Sequence, residues 1–139
     1  MTHDRPVFAD TSFFLALLIP GDALHTEAIA WVHSSTRPLL MTDYVIVEVG
    51  NFLSGPATRH LFSAFLKILE SNPGIRIIPA SADLMRQGCD LYTGRADKSW
   101  SLTDCISFVV MRAEGITEAV TADHHFEQAG FIALLQATH

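Results

Sequence analysis

Short apolar runs recur along the chain and are separated by longer segments of mixed polarity. Five runs of three or four residues are largely apolar and too short for a helix, which is typical of strands buried within a sheet. They occupy 7–9, 39–42, 75–78, 119–121 and 132–135. The pattern therefore predicts five short strands.

The segments between these runs have the apolar spacing and the end signals of helices. Ser12, Asp43 and Ser81 are positioned as N-caps, and a strongly apolar helix over 105–113 is expected to begin at Thr103 or Asp104. The other predicted helices cover 12–18, 25–34, 43–53, 57–70 and 81–92. Strands that alternate with helices favour a mostly parallel sheet, so the predicted fold is an α/β three-layer sandwich.

Length and composition are those of one ordinary domain. The chain has 139 residues, of which 49% are hydrophobic, so we expect a single domain over 1–139 without a linker. The apolar stretch at 13–19 is too short to span a bilayer, and we expect neither a signal peptide nor a membrane anchor. Cys89 and Cys105 lie in predicted helices, which favours reduced thiols and a cytoplasmic location.

The acidic charge balance bears on any nucleic-acid partner. A formal net charge of −6 argues against one, because phosphate binding usually requires a basic surface. Two bound divalent cations would change this charge to −6 + 4 = −2 and would themselves attract phosphate. The net charge therefore does not exclude RNA as a partner, but the chain cannot bind RNA by charge alone. Trp100 could stack on a base, although we expect it to pack beneath its loop.

Four acidic residues follow predicted strands or lie at the start of predicted helices. These residues, called the acidic quartet below, are Asp10, Glu48, Asp104 and Asp123. We expect them to converge, because the carboxyl ends of parallel strands meet at one edge of a sheet. A divalent cation makes such a cluster of like charges tolerable, and oxygen-only ligands select hard ions such as Mg²⁺ or Mn²⁺. The arrangement predicts metal-dependent phosphate chemistry.

Each carboxylate also has a simpler structural interpretation. Asp10 could only cap a helix. Glu48 could lie on a solvated helix face, although its neighbours Val45, Val49 and Phe52 are expected along the buried side of the same helix. Asp104 could interact with the helix dipole behind a cap at Ser101 or Thr103. Both kinds of role are compatible, so the quartet does not exclude capping.

Three further residues near the quartet are weaker candidates. The adjacent His124 and His125 suggest zinc or nickel, but no cysteine or third histidine lies at ligand spacing, so we expect them to cap or pack. Asp97 lies in the loop before Asp104, and aspartates in loops are usually only solvated.

Taken together, these motifs resemble those of a known family. The order Asp, Glu, Asp, Asp, with Ser-Leu-Thr-Asp at 101–104 and Thr-Ala-Asp-His-His-Phe at 121–126, is similar to PIN-domain ribonucleases of the VapC toxin type. The resemblance extends from Asp10 to Phe131. It implies a PIN-like α/β/α sandwich with sheet order 3-2-1-4-5 and an endoribonuclease that uses one or two Mg²⁺ or Mn²⁺ ions.

Residue roles and partners also follow from this resemblance. It implies that the metal ligands and catalytic residues are Asp10, Glu48, Asp104 and Asp123. Thr11, Ser12 and Thr121 match the hydroxyl positions of the family, and Asp97 is a possible auxiliary residue. The resemblance further implies a homodimer and a cognate antitoxin, often one that inserts a basic side chain among the carboxylates.

Two other readings of the quartet stay open. A phosphoaspartyl phosphatase or a receiver domain also has an aspartate after its first strand. The former requires a second aspartate where Ser12 stands, and the latter requires a lysine after a late strand, where neither lysine of this chain lies. The alternative within the family is a non-catalytic PIN module that binds RNA or a protein, although a scaffold has no need of four mutually repelling carboxylates.

Overall fold

Strands and helices alternate through most of the fold. The computed structural model describes residues 5–135. In chain order the elements are β1 (Val7–Ala9), α1 (Thr11–Leu18), α2 (His25–Ser34), β2 (Leu39–Thr42), α3 (Asp43–Phe52), α4 (His60–Ser71), β3 (Ile75–Ile78), α5 (Ala82–Gly94), α6 (Leu102–Glu114), β4 (Glu118–Val120), α7 (His124–Gln128) and β5 (Ile132–Ala133). Each predicted strand and helix is present, and α7 is a short helix that the apolar pattern does not predict.

The five strands form one parallel sheet. Its order is β3-β2-β1-β4-β5, and every neighbouring pair is parallel, which confirms the predicted order 3-2-1-4-5. Phe8 of the central strand is in register with Leu40 on one side and Ala119 on the other. The strand order reverses at β1, so the ends of β1 and β4 flank a crevice. Ligands of open α/β sheets usually bind at such a point.

Aromatic rings form much of the core around this crevice. Phe108 packs edge to face against Phe126 at a centroid distance of 4.9 Å and against Trp100 at 5.1 Å. Phe14 and Phe65 form a second edge-to-face pair at 5.0 Å. All five side chains are buried, and each buried phenylalanine contributes about 1.5–3 kcal/mol to stability. The elements that carry the predicted site therefore rest on a well-packed base.

Two predicted N-caps are displaced toward the preceding strand. Ser12 and Asp43 lie inside α1 and α3, and the cap positions belong to Asp10 and Thr42. A cap residue needs extended backbone angles, which the residue at a strand end already has. Thr42 Oγ1 accepts a hydrogen bond from Val45 N at 3.3 Å, while Asp10 makes no side-chain cap. The carboxylate of Asp10 is therefore free for contacts elsewhere.

Other element ends differ from the predictions by a few residues. The helix predicted from 57 begins at His60, β4 lies one residue earlier than predicted, and β5 ends two residues sooner. Ser81 caps α5 as expected, with its Oγ accepting from Leu84 N at 3.0 Å. Cys89 and Cys105 are free. Within 5–135 the longest helices have 13 residues, and none could cross a membrane.

Candidate active site

A cavity of about 270 Å³ opens where β1 and β4 end. The whole acidic quartet lines it, as the strand topology predicts. The lining residues are Asp10, Thr11, Ser12, Leu15, Glu48, Phe52, Ser99, Ser101, Asp104, Asp123 and His125. Neither lysine nor arginine is among these lining residues of the described chain. Four carboxylates therefore share one space without a lysine or arginine to offset their repulsion.

Asp10 is the most deeply buried carboxylate of the quartet, with only 4% of its surface exposed. Its Oδ2 accepts hydrogen bonds from Thr121 Oγ1 at 2.9 Å and from Ser12 Oγ at 3.0 Å. Burial raises the pKa of Asp10 to about 6, although the Thr121 hydrogen bond lowers it, and the charge of Asp104 adds to the rise. A carboxylate that has lost its hydration in this way is a suitable ligand for a cation.

Asp104 both caps a helix and lines the cavity. Ser101 Oγ accepts from Asp104 N at 3.0 Å, and Asp104 Oδ2 accepts from Ser101 N at 3.1 Å, which together form a capping box. The box places the cap three residues before the acid, so α6 begins at Leu102 and not at Thr103 or Asp104 as predicted. Burial raises the pKa of Asp104, the Ser101 amide lowers it, and the charge of Asp123 raises it.

His125 connects two members of the quartet, a role that its motif does not indicate. Its Nδ1 lies 3.0 Å from Asp104 Oδ2 and 3.3 Å from Asp123 Oδ1. The side chain of His125 is 18% exposed, whereas that of His124 is 70% exposed. Asp123 caps α7 by accepting from His125 N at 2.9 Å, and this turn brings the imidazole to Asp104. An N-cap at Asp123 was the available signal for α7, and hence for His125.

Glu48 reaches the cavity from α3. It is half-buried and makes no hydrogen bond within the described residues. Val45 and Val49 are buried as predicted, but Phe52, which helical spacing places on the same buried side, is 67% exposed and lines the cavity. Phe52 is the last residue of α3, where the chain leaves the helix and the core no longer covers this face. Glu48 thus lines the cavity, as predicted. The predicted burial of Phe52 is wrong.

The predicted auxiliary residues fall into two groups. Thr11 and Ser12 line the cavity, and Thr121 lies beneath it through its hydrogen bond to the buried carboxylate at the end of β1. Asp97 is not among the lining residues. Its exposed carboxylate pairs with Arg95 through two hydrogen bonds of 3.0 Å, and these lower the pKa of Asp97 to about 2. The structure therefore does not bring Asp97 to the quartet.

Trp100 packs in the core, as expected. It is 4% exposed, and its Nε1 donates to Gln128 Oε1 at 3.0 Å. The guanidinium of Arg95 lies 5.1 Å from the centre of its ring. The indole is therefore not available to an RNA base.

The donor atoms of the cavity suit a hard divalent cation. Thr11 Oγ1 is buried and has no hydrogen-bond partner among the described residues, so an oxygen donor beside the carboxylates is left unsatisfied. Carboxylate and hydroxyl oxygens are the ligands that Mg²⁺ and Mn²⁺ prefer. Asp123, His124 and His125 also present ligand atoms within 4.8 Å of one another, but His125 Nδ1 is already engaged by Asp104. The oxygen-only set is the better candidate.

Comparison with known proteins shows a relative along nearly the whole chain. The chain is 32% identical over 128 residues to the 23S rRNA-specific endonuclease VapC20 of Mycobacterium tuberculosis. The matched region covers 91% of this chain and 95% of VapC20. The crystal structure of Mycobacterium tuberculosis VapC20, described as a Sarcin-Ricin loop cleaving toxin, superposes with a TM-score of 0.85. That match has 28% identity and covers 94% of this chain and 99% of the other.

Two more distant structures share the fold. VapBC2 from Rickettsia felis, bound to a DNA fragment from its promoter, matches with a TM-score of 0.65 and 16% identity over 93% of this chain and 97% of that one. FitAcB from Neisseria gonorrhoeae matches with a TM-score of 0.64 and 17% identity over 96% and 99%. The family model of the PIN domain covers residues 7–132, which include the whole acidic quartet, and the chain therefore belongs to the PIN domain family.

Proposed function

We propose that the protein is a metal-dependent endoribonuclease that hydrolyses RNA phosphodiester bonds, and that it is the toxin of a toxin–antitoxin pair. The observation that carries this proposal is the convergence of the acidic quartet on one cavity whose lining has no lysine or arginine. Bare carboxylates repel phosphate, so such a cavity suits a phosphodiester only together with a divalent cation. Similarity to a 23S rRNA-specific endonuclease supports RNA as the substrate.

The metal-binding roles are assigned within the quartet. Asp10, Glu48 and Asp104 are the proposed core ligands of one or two Mg²⁺ or Mn²⁺ ions, and Asp123 completes the site directly or through water. A bound ion of this kind supplies an activated water and stabilises charge on the leaving oxygen. The four residues are the proposed catalytic residues.

Three further polar residues, Ser12, Thr121 and His125, hold carboxylates of the site in place. Thr121 and Ser12 both donate to Asp10 Oδ2, and their hydroxyl oxygens lie 3.1 Å apart. His125 bridges Asp104, in the first turn of α6, and Asp123, the N-cap of α7. Three of the four carboxylates are therefore oriented by the fold, which reduces the ordering needed when a cation and a phosphate bind.

The proposal includes partners. Residues 1–139 would form one PIN-like domain, act in the cytoplasm, assemble as a homodimer and bind a cognate antitoxin. The description of VapC20 as a toxin supports the antitoxin, and the homodimer follows from the family resemblance. An arginine from the antitoxin would neutralise the repelling carboxylates and compete with the cation, because guanidinium pairs strongly with carboxylates.

The test is cleavage of ribosomal RNA by the purified protein with Mg²⁺ or Mn²⁺, beside a chelator control. Asp104→Asn removes one carboxylate but keeps an oxygen that can accept from Ser101 N. Asp90→Asn, on the exposed surface of α5, is the matched control. We expect metal-dependent cutting by the wild type and Asp90→Asn, and none by Asp104→Asn. Folded, metal-loaded wild type that binds RNA without cutting it would refute the nuclease and favour the non-catalytic PIN module.

A further inference from the structure

The cavity has an exposed aromatic ring beside its carboxylates. Phe52 ends α3 and is 67% exposed although it lines the cavity. It follows Glu48 by four residues, so both side chains project from one face of α3. The other aromatic ring among the lining residues, that of His125, is held by two carboxylates. The ring of Phe52 makes no aromatic or cation–π contact with another described residue.

The lining of the cavity leaves few other ways to hold an RNA strand. None of the described lining residues is lysine or arginine, and the chain has a formal net charge of −6. Charge therefore assists binding only where a cation meets a phosphate. Trp100 is buried, so it cannot serve as a stacking platform. Phe52 is therefore the aromatic side chain of the cavity lining whose ring is free to stack on a base, whereas the hydroxyls of the lining offer only hydrogen bonds.

Position distinguishes Phe52 from other exposed apolar side chains. Single apolar residues on a protein surface are common and need no ligand. Val47 and Tyr92 are 60% and 52% exposed, but neither lines the cavity. Phe52 is exposed inside a concave site, beside the carboxylates proposed to act on the phosphodiester. Tyr92 is thus a natural control for the effect of exposure alone.

We propose that Phe52 is a nucleobase-stacking subsite that takes an unpaired base of RNA next to the phosphate held at the acidic quartet. This inference rests on the proposed nuclease function. A base inside a duplex is already stacked on its neighbours, so the subsite selects loops and single strands. It imposes little sequence preference, because every base has a face that can stack.

The experiment compares cleavage kinetics on a ribosomal RNA fragment that the wild type cuts in Mn²⁺. Phe52→Ala is expected to raise KM about 5- to 150-fold with little change in kcat, because the lost stacking is made before and during the reaction alike. Phe52→Trp should keep a KM close to that of the wild type. Phe52→Leu, which is apolar but not aromatic, should have the raised KM of Phe52→Ala. Tyr92→Ala should have the KM of the wild type. Pairing the fragment into a duplex should abolish the difference between Phe52 and its alanine variant.

The outcomes separate the subsite from the nuclease itself. A Phe52→Ala variant with wild-type KM would overturn the subsite and leave the nuclease intact. A second pair of results would also overturn the subsite and assign the ring to a protein contact. In that case Phe52→Leu would have the same KM as Phe52→Trp, and light scattering would show a change of mass for Phe52→Ala. No metal-dependent cleavage of RNA by folded wild type would overturn both proposals.

Discussion

Replacing Asp10 by asparagine should make the metal-free protein more stable at neutral pH. Burial raises the pKa of this carboxyl from 3.8 to about 6, so the folded state favours the neutral form. The protonated Asp10 carboxyl therefore contributes stability that is fully present below pH 3.8 and is lost as the pH rises through about 6. At 1.36 kcal/mol per pH unit, the interval corresponds to about 3 kcal/mol. Asparagine removes the charge and keeps an oxygen that can accept from Thr121 Oγ1.

The assay is urea unfolding in chelator between about pH 4 and pH 8, with the free energy of unfolding compared between Asp10→Asn and the wild type. As the pH rises, the free energy of unfolding of Asp10→Asn relative to the wild type should increase by at most about 3 kcal/mol, or about 10 °C in Tm. Asp97→Asn is the control, because Asp97 is exposed and its pKa is lowered to about 2, so removing its charge gives no gain at high pH. Mn²⁺ should reverse the order, because it binds the wild type preferentially.

One result would refute this reasoning. If the wild type in chelator were the more stable protein at pH 8, or if the difference did not change with pH, the fold would not disfavour the charge of Asp10. The repulsion and desolvation that motivate a cation at this site would then be absent. The case for a metal site would have to rest on the family alone.

Further predictions concern the rest of the site and its support. Asp104→Asn should abolish cleavage yet leave the metal-free protein at least as stable in thermal unfolding. Burial and the charge of Asp123 raise the pKa of Asp104, and the variant keeps an oxygen that can accept from Ser101 N. Marked unfolding of the variant would mean that the main role of Asp104 is capping. His125→Ala should weaken Mn²⁺ binding in calorimetry about 10- to 100-fold, whereas His124→Ala should not, and equal effects would contradict the bridging role of His125. Gly88→Ala should cost about 1–3 kcal/mol in urea unfolding, because its Cβ would overlap a side chain of α6.

Much of the fold could be predicted because its strands are short, apolar and end abruptly. A parallel strand buried on both faces reads as a continuous apolar run, so 7–9, 39–42 and 75–78 are easily recognised. Parallel topology also brings whatever follows each strand to one edge, which is why the sequence alone places Asp10 and Asp123 together. The order of the strands does not follow from the apolar pattern, and its prediction depended on the family resemblance.

The missed features depend on element ends and long-range contacts, which apolar periodicity does not encode. The five residues of α7 are too few for a helical period, and the helix follows from the cap at Asp123. The contact between His125 and Asp104 joins residues 21 positions apart. Phe52 has the spacing of a buried residue, but the helix ends there and leaves the ring uncovered. Sequence periodicity describes the middle of an element well, while much of the site is made from element ends.

A single oxygen atom links the backbone of α6 to the interior of the cavity. Asp104 Oδ2 accepts from Ser101 N and also meets His125 Nδ1, so the start of one helix and the first turn of another share it. A cation or an inserted arginine that draws this oxygen away would free the Ser101 amide. The filling of the cavity would then change backbone protection at the start of α6, and amide hydrogen exchange at Ser101 would report occupancy without any RNA being cut.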